Sequence, residues 1–145
     1  MNNFLDNFKV TYVSGAVADG QAATASDIVD MKGWDGVAFI ALTGDVTSGC
    51  VLTLAAQQDE LNGSGGMASL TGTATFTAGA TNADNKALLL DVQKPNKRYV
   101  RALFTSATQN AVKNGVIAIQ YRGTNLPAVQ DATVIASKLI YDAAE

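Results

Sequence analysis

Leu70-Thr71-Gly72-Thr73-Ala74-Thr75-Phe76-Thr77 carries a threonine at every odd position and Leu, Gly, Ala and Phe at the even ones. Side chains on a β-strand alternate between two faces, so this pattern predicts a strand with one wet face and one packed face. The same period recurs at Phe8-Val10-Tyr12, at Val37-Phe39-Ala41 with Ile40 and Leu42 opposite, and at Leu52-Leu54. It continues at Leu88-Leu90-Val92, Val100-Ala102-Phe104 and Ile117-Ile119-Tyr121. A strand near Asp27 to Met31 brings the expected number to about eight.

Turn signals fall between these stretches: Gly33-Trp34-Asp35-Gly36, Thr47-Ser48-Gly49, Asn62-Gly63-Ser64-Gly65-Gly66, Gly79 to Asn85, Lys94-Pro95-Asn96 and Asn114-Gly115. No interval offers a crossover helix with apolar residues at helical spacing. The expectation is therefore an all-β chain: a single antiparallel β-sandwich, jelly-roll-like, with extended terminal arms. Its bounds are an N-terminal arm over 1–7, a sandwich core over 8–121, and a C-terminal arm or short helix over 122–145, all in one domain over 1–145. The tail's apolar pairs, Val134-Ile135 and Leu139-Ile140-Tyr141, suit a short terminal helix or an arm lying on a neighbouring subunit. The arm is favoured because terminal segments order only when something ties them down. Asn and Gly tolerate the positive φ of a type I′ turn, so Asn114-Gly115 predicts a hairpin joining Ala111–Lys113 to Val116–Tyr121. Lys94-Pro95-Asn96-Lys97 predicts a second, with Pro95 presetting φ at the corner.

The 145-residue chain has a formal net charge of −3 and a pI near 4.7. Against that background Lys94-Pro95-Asn96-Lys97-Arg98-Tyr99-Val100-Arg101 gathers four of the ten basic residues. An acidic chain with one basic turn lacks the extended basic stripe that phosphate neutralisation needs, and Tyr99 alone is too little for a stacking track, so nucleic acid is not an expected partner. The run is either a solvated hairpin or the contact for an acidic partner surface. The N-terminus lacks a basic start and a continuous apolar region, and no segment reaches membrane-spanning length. A soluble chain made in the cytoplasm, without a membrane partner, is expected.

Chemistry finds little footing. The chain has no histidine, which removes the commonest general base and most zinc and iron sites. Asp59 and Glu60 are adjacent and would point to opposite faces of a strand. Asp27, Asp30 and Asp35 lack the Asp-x-Asp-x-Asp-Gly loop of a calcium site. Gly63-Ser64-Gly65-Gly66-Met67-Ala68 matches a dinucleotide fingerprint in letters only, because no helix opens after it. Cys50 begins an apolar run and reads as a small core residue. No enzyme, cofactor or metal is expected. Trp34, in its glycine-bordered turn, suits a sugar platform, an interface anchor or a plug for the end of the core.

Leu88-Leu89-Leu90-Asp91-Val92-Gln93-Lys94-Pro95-Asn96-Lys97-Arg98-Tyr99-Val100-Arg101, followed by Asn114-Gly115-Val116-Ile117-Ala118-Ile119-Gln120-Tyr121, resembles a family of small tailed-phage and prophage structural proteins of the head-gene region. That family includes capsid decoration or cement proteins. Asp35 to Ala41, Leu54 to Gln58 and Asp131-Ala132-Thr133 fit the same pattern, so the resemblance spans roughly residues 27–133. Arg122 stands alone where members often carry a more basic stretch. The resemblance implies a non-enzymatic virion protein on the capsid exterior. Such a protein binds the major capsid protein and stabilises the shell, as a homo-oligomer with a trimer preferred over a dimer. The candidate contact residues are then Lys94, Lys97, Arg98, Tyr99 and Arg101 of the basic run, with Phe4 and Trp34. A carbohydrate-binding or tail-associated adhesin module, stacking sugar on Trp34 and Tyr99, is the alternative.

Overall fold

The long strand β5, Trp34–Val46, buries Val37, Phe39, Ala41 and Thr43 and turns Ala38, Ile40 and Leu42 the other way. That alternation is the period-two pattern of its sequence made physical, and it sets which face of its sheet meets the core. The computed structural model describes residues 3–140. Residues 1–2 of the N-terminal arm, and Tyr141 with residues 142–145 of the C-terminal arm, lie outside the described residues.

After α1, Phe4–Asn7, the strands are β1 Lys9–Ser14, β2 Val17–Gly20, β3 Ala23–Ala25, β4 Val29–Asp30, β5, β6 Val51–Asp59 and β7 Ala68–Ser69. Then come β8 Ala74–Thr77, β9 Ala87–Gln93, β10 Tyr99–Ala107 and β11 Ala111–Gly123. One sheet, here the first, runs β1-β11-β5-β9, with β2 continuing β1 along β11. The second runs β3-β10-β6-β7, with β4 continuing β3 along β10 and β8 continuing β7 along β6. Counted by those continuations the described residues form eight strands, every pairing among them is antiparallel, and the order is that of a jelly roll.

The core lies between the sheets. Val37, Phe39 and Ala41 of β5 with Val116 and Ala118 of β11 face Leu52 and Leu54 of β6 with Val100, Ala102 and Phe104 of β10. Cys50 is fully buried among them, and burial pushes its thiol above the ordinary range.

Three expectations need correction. Asn114-Gly115 does not turn a hairpin: β11 passes straight through it, with pairing shifts on both sides of Lys113. The positive φ of Gly115, 122°, serves a bulge, and a Cβ there would come within 2.7 Å of the Ser14 carbonyl oxygen. The Asn114 amide is occupied locally, donating to the Thr43 carbonyl at 3.1 Å. The Leu70–Thr77 stretch is a strand only from Ala74, because Gly72 takes a left-handed φ of 107° and interrupts the pairing along β6. Phe76 is exposed rather than packed, since β8 borders its sheet with nothing beyond it. Finally, Lys94–Lys97 does not close a hairpin, because β9 and β10 belong to different sheets.

The bulge in β11 swings Lys113 inward, and its side chain is 2% exposed. Its ammonium donates to the Ala22 carbonyl at 2.6 Å, the Thr24 hydroxyl at 3.0 Å and the Phe104 carbonyl at 3.2 Å, and lies 5.6 Å from the centre of the Phe104 ring. No ion pair among the described residues involves it. Three oxygens fill the donor capacity of an ammonium, and together they tie the first sheet to β10 and to the β3 segment of the second. Removing the side chain takes a donor from the Phe104 carbonyl, the Thr24 hydroxyl and the Ala22 carbonyl, the last of which keeps the Ser106 N–H, and opens a cavity. Lys113→Ala is expected to lose about 3 kcal/mol in urea unfolding, and Lys113→Met, which keeps most of the stem packing, about half of that.

Candidate functional site

Strand register brings most of the predicted contact residues to one end of the sandwich. Gly36, near the start of β5, pairs with Gln93 at the end of β9 and with Tyr121 near the end of β11. In the other sheet Tyr99, opening β10, pairs with Asp59 and Asp30. The basic run therefore crosses from the border strand of the first sheet to an interior strand of the second, at the end where Trp34 enters β5. Lys94 turns the corner with a φ of 51°, its N–H donating to the Asp35 carbonyl at 2.6 Å.

An open cleft of about 390 Å³ lies there, lined by Met31, Lys32, Trp34 and Asp35 on one side and Lys94 to Arg98 on the other. Trp34 is half-buried. Its ring packs on the core and over Gly123, where a Cβ would come within 2.8 Å of it. The indole thus closes the end of the core and lines the cleft with its remaining surface.

Intramolecular partners consume part of the positive charge. Arg98 grips Asp30 with two hydrogen bonds, Nε to Oδ1 and Nη2 to Oδ2, both 2.8 Å, and lies 5.0 Å above the Tyr99 ring. That grip holds the Asp30 carboxyl below the usual carboxylate range and raises the guanidinium further. Lys97 pairs with Glu60 at 2.9 Å. Lys32 and Lys94 enter no ion pair among the described residues, although Asp35 lines the same cleft and Lys32 adds to the lowering of the Asp30 carboxyl. Asp27, Asp30 and Asp35 do not converge, and among the described residues no three His, Cys, Asp or Glu side chains gather.

Tyr99 and Arg101 sit elsewhere. They alternate with buried Val100 and Ala102 and so face out from the second sheet, where Arg101 Nε donates to Gln57 at 2.8 Å. Trp34 and Tyr99 are consequently not presented on one surface, and Tyr99 does not line the cleft. Phe4 belongs to the helical turn α1, capped by the Asn3 side chain accepting from the Asp6 N–H. It stacks on Phe8 at 4.9 Å and lines a second hollow, of about 420 Å³, with Tyr121, Arg122 and Leu126.

Tyr121, which in the sequence only ends the Ile117-Ile119-Tyr121 strand pattern, lines the second hollow. Its ring covers Gly36 so closely that any Cβ there would enter the ring, and its hydroxyl donates to Asp91 at 2.5 Å. The sequence reads Gly36 as part of a turn, but the turn ends at Gly33 and β5 already begins at Trp34, and a glycine inside a strand marks a close approach. No family model matches the chain, and no curated protein matches it.

Burial first, and the Asp91 hydrogen bond second, push the Tyr121 phenol up to about 12. Between pH 10 and about 12 the folded protein keeps a proton that the unfolded chain releases, so the stability this group contributes is complete below 10 and fades as pH rises through 12. Thermal melts should therefore fall more steeply over that range for the wild type than for Tyr121→Phe, and phenolate absorbance should show one tyrosine titrating late.

Proposed function

We propose that this protein is a structural subunit of a phage head that decorates the outer surface of the major capsid shell and stabilises it. The observation that carries this function is the make-up of one end of the sandwich. Half-buried Trp34 lines the cleft with Lys32 and Lys94, which enter no ion pair among the described residues, and exposed Phe4 and Leu126 line the second hollow at the same end of the sandwich. Apolar anchors with unpaired cations at their margin suit docking on an acidic protein surface: the apolar groups supply burial, and the cations speed and orient encounter. The sequence resemblance over residues 27–133 points the same way. A subunit of this kind needs a rigid scaffold and contacts repeated over a lattice, and it works as a homo-oligomer, with a trimer preferred. The carbohydrate alternative rests on Trp34 alone, since Tyr99 belongs to a different surface.

Cosedimentation with undecorated capsids of the phage that carries the gene tests the proposal. Saturable binding is expected, and none at stoichiometric excess contradicts it. Lys94→Glu, which reverses an unpaired cation at the cleft, should weaken binding at least tenfold. Arg101→Glu, out on the second sheet, should weaken it much less.

A further inference from the structure

The outward face of the first sheet is apolar across its whole width. Tyr12 pairs with Ile117, Ile117 with Ile40, and Ile40 with Leu89, so four large apolar side chains form one row over β1, β11, β5 and β9. Val10 and Ile119 extend the patch in the next row. All six alternate with core-facing neighbours, and Leu89 is 67% exposed and Tyr12 45%. The second sheet is different: its outward row at the same level of the sandwich is Thr105, Thr53 and Thr75. Solvent facing one sheet of a monomer would be expected to meet residues of the second kind on both.

The C-terminal segment ends its attachment at the margin of this apolar face. Gln130 accepts from the Val10 N–H at 2.8 Å and donates to the Leu5 and Phe8 carbonyls, while the Thr133 hydroxyl accepts from the Tyr12 N–H at 2.9 Å. Two free backbone donors on the β1 border are thereby capped. At Asp131 the chain bends, with its carboxylate accepting from Thr133 N–H and its carbonyl from Val134 N–H. Beyond that bend Ile135 is 97% exposed and Ile140 83%, so the tail does not lie on its own sheet.

We infer that the C-terminal tail, from Val134 onward, packs across the outward face of the first sheet of a second copy of this chain. Seven extended residues, 134–140, reach about 23 Å, whereas four strands span only about 14 Å, so one tail can cross the full row. Charge agrees as well: Lys138 is the one charged residue in that stretch, and the exposed charged residues on β2, β5 and β9 of the sheet, Asp19, Asp45 and Asp91, are all acidic. Two copies that exchange tails form a reciprocal pair, and tails passed head-to-tail form a ring where the rotation between copies closes. The inference adds to the proposed function the surface through which copies meet, but uses no capsid contact, so the two fail separately.

Light scattering on the full chain at about 0.1 mM tests it through two variants. Ile135→Asp/Ile140→Asp damages the tail and keeps the face, and Leu89→Asp does the reverse; all three positions are exposed, and circular dichroism checks that both fold. The wild type is expected at a small multiple of 15.0 kDa and each variant alone at 15.0 kDa. An equal mixture should give a species of two chains, because an intact tail then meets an intact face. A monomeric wild type, a tail variant that still associates, a face variant that still associates, or a mixture that stays monomeric would each overturn the inference.

Discussion

An ammonium held between two β-sheets, with no carboxylate partner among the described residues, is the constraint on which the rest of this fold depends. Isolated charge in an apolar interior is strongly unfavourable, and burial accordingly lowers the proton affinity of Lys113. The three oxygens around it come from the Ala22 carbonyl, the Thr24 hydroxyl and the Phe104 carbonyl, so the charge is tolerated only when both sheets are in place. The bulge at Gly115 exists in the same strand and helps set which way Lys113 points. Among the described residues every buried side-chain nitrogen and oxygen has a partner, which makes the sandwich a well-determined object rather than a loosely collapsed one.

A rigid body of that kind can afford specialised surfaces. One end combines Trp34 with cations, and its shape is fixed by Tyr121 over Gly36 and by Trp34 over Gly123. The outward face of the first sheet is apolar, and that of the second is rich in threonine. These differences fall on separate surfaces, so the proposed contact with a shell and the proposed contact between copies need not compete.

Much of this was legible in the residues. The alternation of Val37-Phe39-Ala41, Val100-Ala102-Phe104 and their counterparts gave the sandwich, because a strand buried on one face has no other way to be written. Asn114-Gly115 misled, since the φ that suits a hairpin turn suits a bulge equally, and only the partner strand decides between them. Lys94-Pro95 announced a corner correctly but not that the corner changes sheets, which is a property of long-range pairing. At the site, the basic run was visible while its neutralisation was not: Asp30 and Glu60 lie 68 and 37 residues from Arg98 and Lys97. The apolar outward face was written in Ile40, Ile117 and Leu89, yet alternation alone does not say that both faces of a strand are apolar for different reasons.

Electron cryomicroscopy of decorated capsids tests the central claim most directly, because it reads which part of the sandwich meets the shell. The account predicts the end bearing Trp34, Phe4 and Lys94 against the major capsid protein. Density placing the opposite end there, the turns at Thr47–Gly49 and Gly79–Asn85, would contradict it.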